Sequence, residues 1–231
     1  MSNYLMNTAC ASAAARAKGD LAECVALSRC DRAMVEIAIV SALTADRPAL
    51  EAAVRNAYAA GVSESSARDI TRQLAAYLGF VRVAPLAALV GPGESDEEGH
   101  PTPAVRYRTG IDAYATLNPQ ALSNIEAAFG AMASSVLQCT FRSFADTFAA
   151  SSIPIAKRQM ITVAALAALG TAAPQLAFHI GAARDVGVSD STIIDIIGLV
   201  QWHAGMPAAY NALTAAKSAF ATGPGATPGY Q

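Results

Sequence analysis

Three histidines, four cysteines and one Lys-Arg pair at the head of an apolar run are the residues of this chain whose types and settings point to chemistry. His179 lies in Pro174-Gln-Leu-Ala-Phe-His-Ile-Gly181, where helical spacing puts Gln175, His179 and Ala183 on one face and turns Arg184 away from it. An imidazole is the side chain best suited to move protons near neutral pH, yet a lone His among apolar neighbours is more often a satisfied core residue. Lys157 and Arg158 fall in the first turn of a helix, where the macrodipole disfavours cations by some tenths of a kcal/mol. They call for an anion, either an acidic side chain or a bound ligand. His203 falls at the C-terminal end of another helix, where the dipole favours its protonated form, with Trp202 and Tyr210 near enough in sequence to line a pocket. A capping or packing role fits His203 as well. Glu36 is assigned no role, and His100 lies in a solvated linker.

The cysteines are Cys10, Cys24, Cys30 and Cys139, and no pair has CxxC spacing, so neither a dithiol motif nor a zinc site is written locally. Reduced structural thiols in a cytoplasmic protein are the expectation. Three scattered histidines without a carboxylate cluster make a poor metal site, and we expect neither a metal nor an organic cofactor.

The elements that must position these groups are visible as a repeat. Sliding the sequence against itself by 126 residues lays Met34-Val-Glu-Ile-Ala-Ile-Val-Ser-Ala-Leu43 on Met160-Ile-Thr-Val-Ala-Ala-Leu-Ala-Ala-Leu169. Punctuation stays in step: Pro48 with Pro174, Gly61-Val-Ser63 with Gly187-Val-Ser189, Asp69-Ile70 with Asp195-Ile196, Gly79 with Gly205. Those residues start and stop helices, so each copy reads as four helices joined by turns. In the first copy they fall near 30–44, 47–60, 64–78 and 81–89. In the second, one runs from Pro154, capped by Ser152, to Leu169; the next from Pro174 to before Gly187; the third, capped by Ser189, to about Ala204; and Pro207 opens the fourth.

The domain reading is therefore an N-terminal repeat over 1–90 without an active site, a linker over 91–104, a C-terminal repeat with its preceding helices over 105–221, and a disordered tail over 222–231. Residues 105–150 should add two or three helices, with Asn118 capping before Pro119. His179 stands where the first copy has Ala53, so the module packs without it; His203 stands opposite Tyr77, and Arg158 opposite Arg32.

Composition agrees with an all-α fold. Hydrophobic residues make up 53% of the chain but aromatics only 6%, and the Ala-rich remainder favours closely packed helices over a sandwich of strands. With 16 basic against 18 acidic residues and no basic stripe, no nucleic-acid partner is expected. The longest apolar runs fall well short of the roughly 20 residues of a membrane span, and the N-terminus does not read as a secretory signal.

Leu166-Ala-Ala-Leu-Gly170, then Pro174-Gln-Leu-Ala-Phe-His-Ile-Gly-Ala-Ala-Arg-Asp-Val-Gly-Val-Ser189, then Gln201-Trp-His-Ala-Gly-Met-Pro-Ala-Ala-Tyr-Asn-Ala-Leu213 resemble the carboxymuconolactone decarboxylase family. Residues 28–90 resemble the same domain less closely. The resemblance implies a duplicated all-α bundle shared with the alkylhydroperoxidase D proteins, sites between packed helices, and assembly into homotrimers or hexamers. One branch is a thiol peroxidase with a CxxC pair and a following His. Here His179 matches that His, but the cysteine positions are Ala172 and Gln175 and the upstream Glu falls on Met160, so the nucleophile is missing. The other branch acts on a carboxylated lactone, and this chain resembles it in His179 and Arg158.

Losing CO2 from such a substrate leaves an enolate that needs a proton donor and an electrostatic stabiliser. The expected site has His179 as acid/base, Gln175 as its orienting group, Arg158 as carboxylate anchor, His203 as a second catalytic candidate, and Trp202 and Tyr210 against a small anionic substrate. Two readings compete with this lyase: a non-catalytic helical oligomer that binds ligands, and a redox protein using Cys24, Cys30 or Cys139.

Overall fold

The structure, a computed structural model, describes residues 27–43, 46–92, 101–117, 121–149 and 151–221. Expectations for Cys10, Cys24, His100, Asn118, most of the linker and the tail from Thr222 lie outside these residues. Among the described residues the chain is all α, with eleven α-helices and no strand. They are α1 (Arg29–Leu43), α2 (Arg47–Ala59), α3 (Glu64–Leu78), α4 (Phe80–Val90), α5 (Pro103–Ala115), α6 (Ala121–Phe129), α7 (Ser134–Phe144), α8 (Ile155–Leu169), α9 (Ala173–Asp185), α10 (Asp190–Ala204) and α11 (Met206–Ala221). No helix among them is long and apolar enough to cross a membrane.

Helices α1, α2 and α3 begin and end 126 residues before α8, α9 and α10. The local causes recur with the boundaries. The Ser63 hydroxyl accepts from the backbone N–H of Ser66 at 3.1 Å, and Ser189 accepts from that of Thr192 at 3.1 Å, each satisfying an orphan donor of the first turn. The turns before these caps need a residue at positive φ, and Gly61 and Gly187 both supply φ 91°. Helix α8 departs from expectation at its start: Ser152 does not cap it, because Ser151 and Ser152 donate instead to Asp69 of α3. Helix α5 begins at Pro103, two residues earlier than expected, because the Thr102 hydroxyl accepts from Val105 N–H at 3.3 Å.

Helices α1 and α8 pack together at the centre. Every residue from Arg158 to Ala168 is buried, the polar Arg158, Gln159 and Thr162 included, as befits a helix surrounded by others on all sides. Around this pair the packing is reciprocal: α3 lies on α8, and α10 lies on α1. The two repeats consequently do not have separate interiors. One hydrophobic cluster takes Val35, Ile39, Leu50, Ile70 and Leu74 from the first together with Ile161, Val163, Ile180, Ile196 and Leu199 from the second.

A second, aromatic cluster joins Tyr114, Ile125, Leu137, Phe141 and Phe144 of α5 to α7 with Phe178 and Ala182 of α9. Here α5 and α7 meet backbone to backbone, since a Cβ added at Gly110 would overlap the Phe141 carbonyl. A short 3-10 turn (Gly130–Ala133) precedes α7 and a π-helical turn (Ala145–Ala149) follows it. Helix α9 thus borders both clusters, with Ile180 and Ala183 in the first and Phe178 and Ala182 in the second.

Candidate active site

His179 sits on α9 at that border and is 3% exposed. Its Nδ1 lies 2.9 Å from the amide Oε1 of Gln159 on α8. An amide oxygen only accepts, so Nδ1 carries the proton and the Nε2 lone pair is left to take one. Ring edges hold the imidazole from two sides: Tyr77 of α3 at 5.2 Å between centroids and Phe178 at 5.1 Å, both near perpendicular. Burial pushes the His179 pKa down to about 3, so the group is neutral at physiological pH.

A cavity of about 430 Å³ opens beside it. One wall comes from α6 and α7, with Ile125, Phe129, Val136, Cys139, Thr140, Ser143 and Phe144; Tyr114 of α5 joins them. The other comes from Ala76 and Tyr77 of α3, Leu166 and Leu169 of α8, and Ala172, Gln175 and His179. The lining is mostly apolar, its polar groups are few, and no Lys or Arg is among the described lining residues. That composition suits a small, largely apolar organic ligand oriented by a few fixed polar atoms.

The expected site residues separate into two sets. His179 and Gln175 share this cavity, but Gln175 is exposed, and the imidazole donates its Nδ1 hydrogen bond to Gln159 instead. Arg158 does not line the cavity. It is buried, 1% exposed, with Cζ 4.7 Å from the Phe148 ring centroid, and burial lowers its pKa to about 10. Lys157, its neighbour, has its anion in Asp31 of α1 at 2.7 Å, which holds the ammonium pKa above its ordinary value. His203, Trp202 and Tyr210 are not among the residues of this cavity. Burial lowers the His203 pKa, Glu36 opposing this and Arg32 adding to it, while Trp202 and Tyr210 are exposed. Glu36 pairs with Arg32, whose Nε meets its carboxylate at 3.1 Å from one helical turn away.

The residues expected at the site all come from the second repeat, and polar side chains of the first pack beside them. Tyr77, Gln73 and Asp69 come from α3 of the first. Gln73 donates to the Arg158 carbonyl at 2.9 Å and to Thr162 Oγ1 at 2.8 Å, pinning α3 to α8 below the cavity. Asp69, buried, takes hydrogen bonds from Ser151, Ser152 and Arg72, and these outweigh its desolvation to hold its pKa below the ordinary carboxylate value. A signal for Gln159 existed in the repeat itself: Gln159 and His179 both stand where the first repeat has a buried alanine, Ala33 and Ala53. The pair differs between the copies together because the two side chains bond to each other.

The fold and site define a helical bundle that holds one neutral imidazole against an apolar cavity. Residues 125–218, from within α6 into α11, match the model of the carboxymuconolactone decarboxylase family, whose fold is the all-α alkylhydroperoxidase D-like bundle, so this segment of the chain is similar to that family. The matched segment carries His179, Gln159, Gln175 and Cys139 and leaves out Tyr77. None of the curated proteins compared with the chain matches it.

Proposed function

We propose that the His179 cavity is the active site of a lyase that works by proton transfer on a small carboxylated lactone or a related carbonyl compound. The observation that carries this reading is the neutral imidazole, fixed by Gln159 and set on the wall of an apolar cavity. A base that stays unprotonated down to about pH 3 accepts a proton first and returns it second. Decarboxylation replaces the C–CO2⁻ bond by C–H: the electron pair passes into the lactone carbonyl as an enolate, CO2 leaves, and one proton is delivered to carbon. Tyr77 and Gln175 are among the polar lining groups that can hydrogen-bond the enolate oxygen, and the mostly apolar walls strengthen those bonds. His179 relays the proton from water to the enolate carbon.

The test is to incubate the purified chain in D2O with a panel of carboxylated lactones, following CO2 release and deuterium uptake by NMR. His179→Ala should abolish both, and turnover left unchanged in that variant overturns the assignment.

A second reading has one observation in its favour: Cys139 lines the same cavity as a free thiol. Cys139→Ser leaves the lyase unaffected, whereas loss of activity with that variant favours thiol chemistry. Homo-oligomerisation to a trimer or hexamer belongs to the same proposal, supported by exposed Phe80, Val81, Met206 and Tyr210, and is measured by the mass of the purified chain in solution.

A further inference from the structure

Arg158 is the most costly group that the proposed chemistry does not use. Its Nε and both terminal nitrogens are buried and make no hydrogen bond. A guanidinium stays charged and presents five N–H donors in a rigid fork, and buried charges are otherwise found paired or holding a ligand. Asp69 attracts it electrostatically, but that carboxylate is engaged by Ser151, Ser152 and Arg72 and makes no hydrogen bond to it. What covers the guanidinium is the face of Phe148. That ring is only partly buried and stacks at 4.6 Å on Phe144, which lines the His179 cavity. Phe148 belongs to the π-helical turn after α7, a backbone form that is rare and recurs at functional sites. The cavity holds a proton carrier and no Lys or Arg among its described lining residues, and the unbonded guanidinium lies against Phe148, whose stacking partner Phe144 lines that cavity.

We propose that Arg158 is a carboxylate-binding group and that Phe148 is the side chain that swings away to admit the carboxylate. The guanidinium fork then accepts both carboxylate oxygens side by side, as arginine does with planar anions. The lyase reading enters only in the identity of the carboxylate's organic body, because anion binding at Arg158 does not require His179.

The experiment measures binding of acetate and benzoate to the full chain by calorimetry at fixed ionic strength, with acetamide and benzamide as neutral controls. Phe148→Ala should tighten both carboxylates at least tenfold over the wild type and leave the amides unchanged. Arg158→Gln added to that background should return the affinity to the wild-type level or below. A larger gain for benzoate, removed by filling the cavity with Ala76→Phe, assigns the carboxylate to a cavity-sized molecule; equal gains assign it to a free small carboxylate. If Phe148→Ala does not fold, Phe148→Leu removes the flat face while keeping bulk and is read in the same way. The proposal is overturned if uncovering Arg158 gives no tighter carboxylate binding, or if the gain survives Arg158→Gln. His179→Ala should leave acetate binding intact while turnover is lost, so the two proposals fail separately.

Discussion

Enclosure decides the charge of His179. With its folded pKa at about 3 and an unfolded value near 6.5, both states are neutral above pH 6.5 and the group adds no pH dependence there. Between those values only the unfolded chain binds the proton, so stability is lost as the pH is lowered, by about 1.4 kcal/mol per unit from this residue. Urea unfolding at pH 7 and pH 5 should show the wild type losing about 2 kcal/mol more than His179→Gln, following the same linkage. Gln159→Leu removes the acceptor for Nδ1–H, at a cost of about 1–3 kcal/mol, and lowers kcat with little change in KM because the ring is no longer held. Gln159→Glu restores an acceptor, raises the imidazole pKa, and should bring an acid limb into the pH–rate profile that the wild type lacks. His179 was legible in the sequence because the repeat supplies an internal comparison. Tyr77 and Gln73 were not, since they reach α9 and α8 from distant parts of the sequence, Gln73 across 85 residues, and no local pattern records which helix faces which.

At the scale of the helix, the signals are local and were readable almost to the residue. Pro48 and Pro174 open helices, Ser63 and Ser189 cap them, and glycines close the turns. Ser63→Ala and Ser189→Ala should each destabilise by about 1 kcal/mol in urea unfolding, and by similar amounts, since the two caps have the same geometry. Ser152 shows the limit of such reading: its side chain suits a cap, but a buried carboxylate from a helix 83 residues away in sequence claims it. The wall formed by α5 to α7 was expected only as two or three helices, with no hint that they enclose the site. Gly110→Ala should prise α5 from α7 and open that wall. Hydrogen exchange would then speed up in α5 and α7 while α1 and α8 remain protected.

For the whole molecule, a common interior predicts one cooperative unit. The single tryptophan, Trp202, reports on α10, and far-UV circular dichroism reports on all helices. Their denaturant transitions should coincide; two separated transitions would mean that the repeats unfold independently, as the sequence-level division into domains implies. That division was drawn from an acidic, Gly- and Pro-rich connection, which marks where a chain bends but carries no information about what packs across it.

The reciprocal seating of α3 on α8 and α10 on α1 has a consequence for dissecting the chain. A fragment carrying the second four helices alone would lay bare the faces of α8 and α10 that α1 and α3 cover, and the imidazole would lose the Tyr77 edge that stands against it. Each half is the obligate neighbour of the other's chemistry.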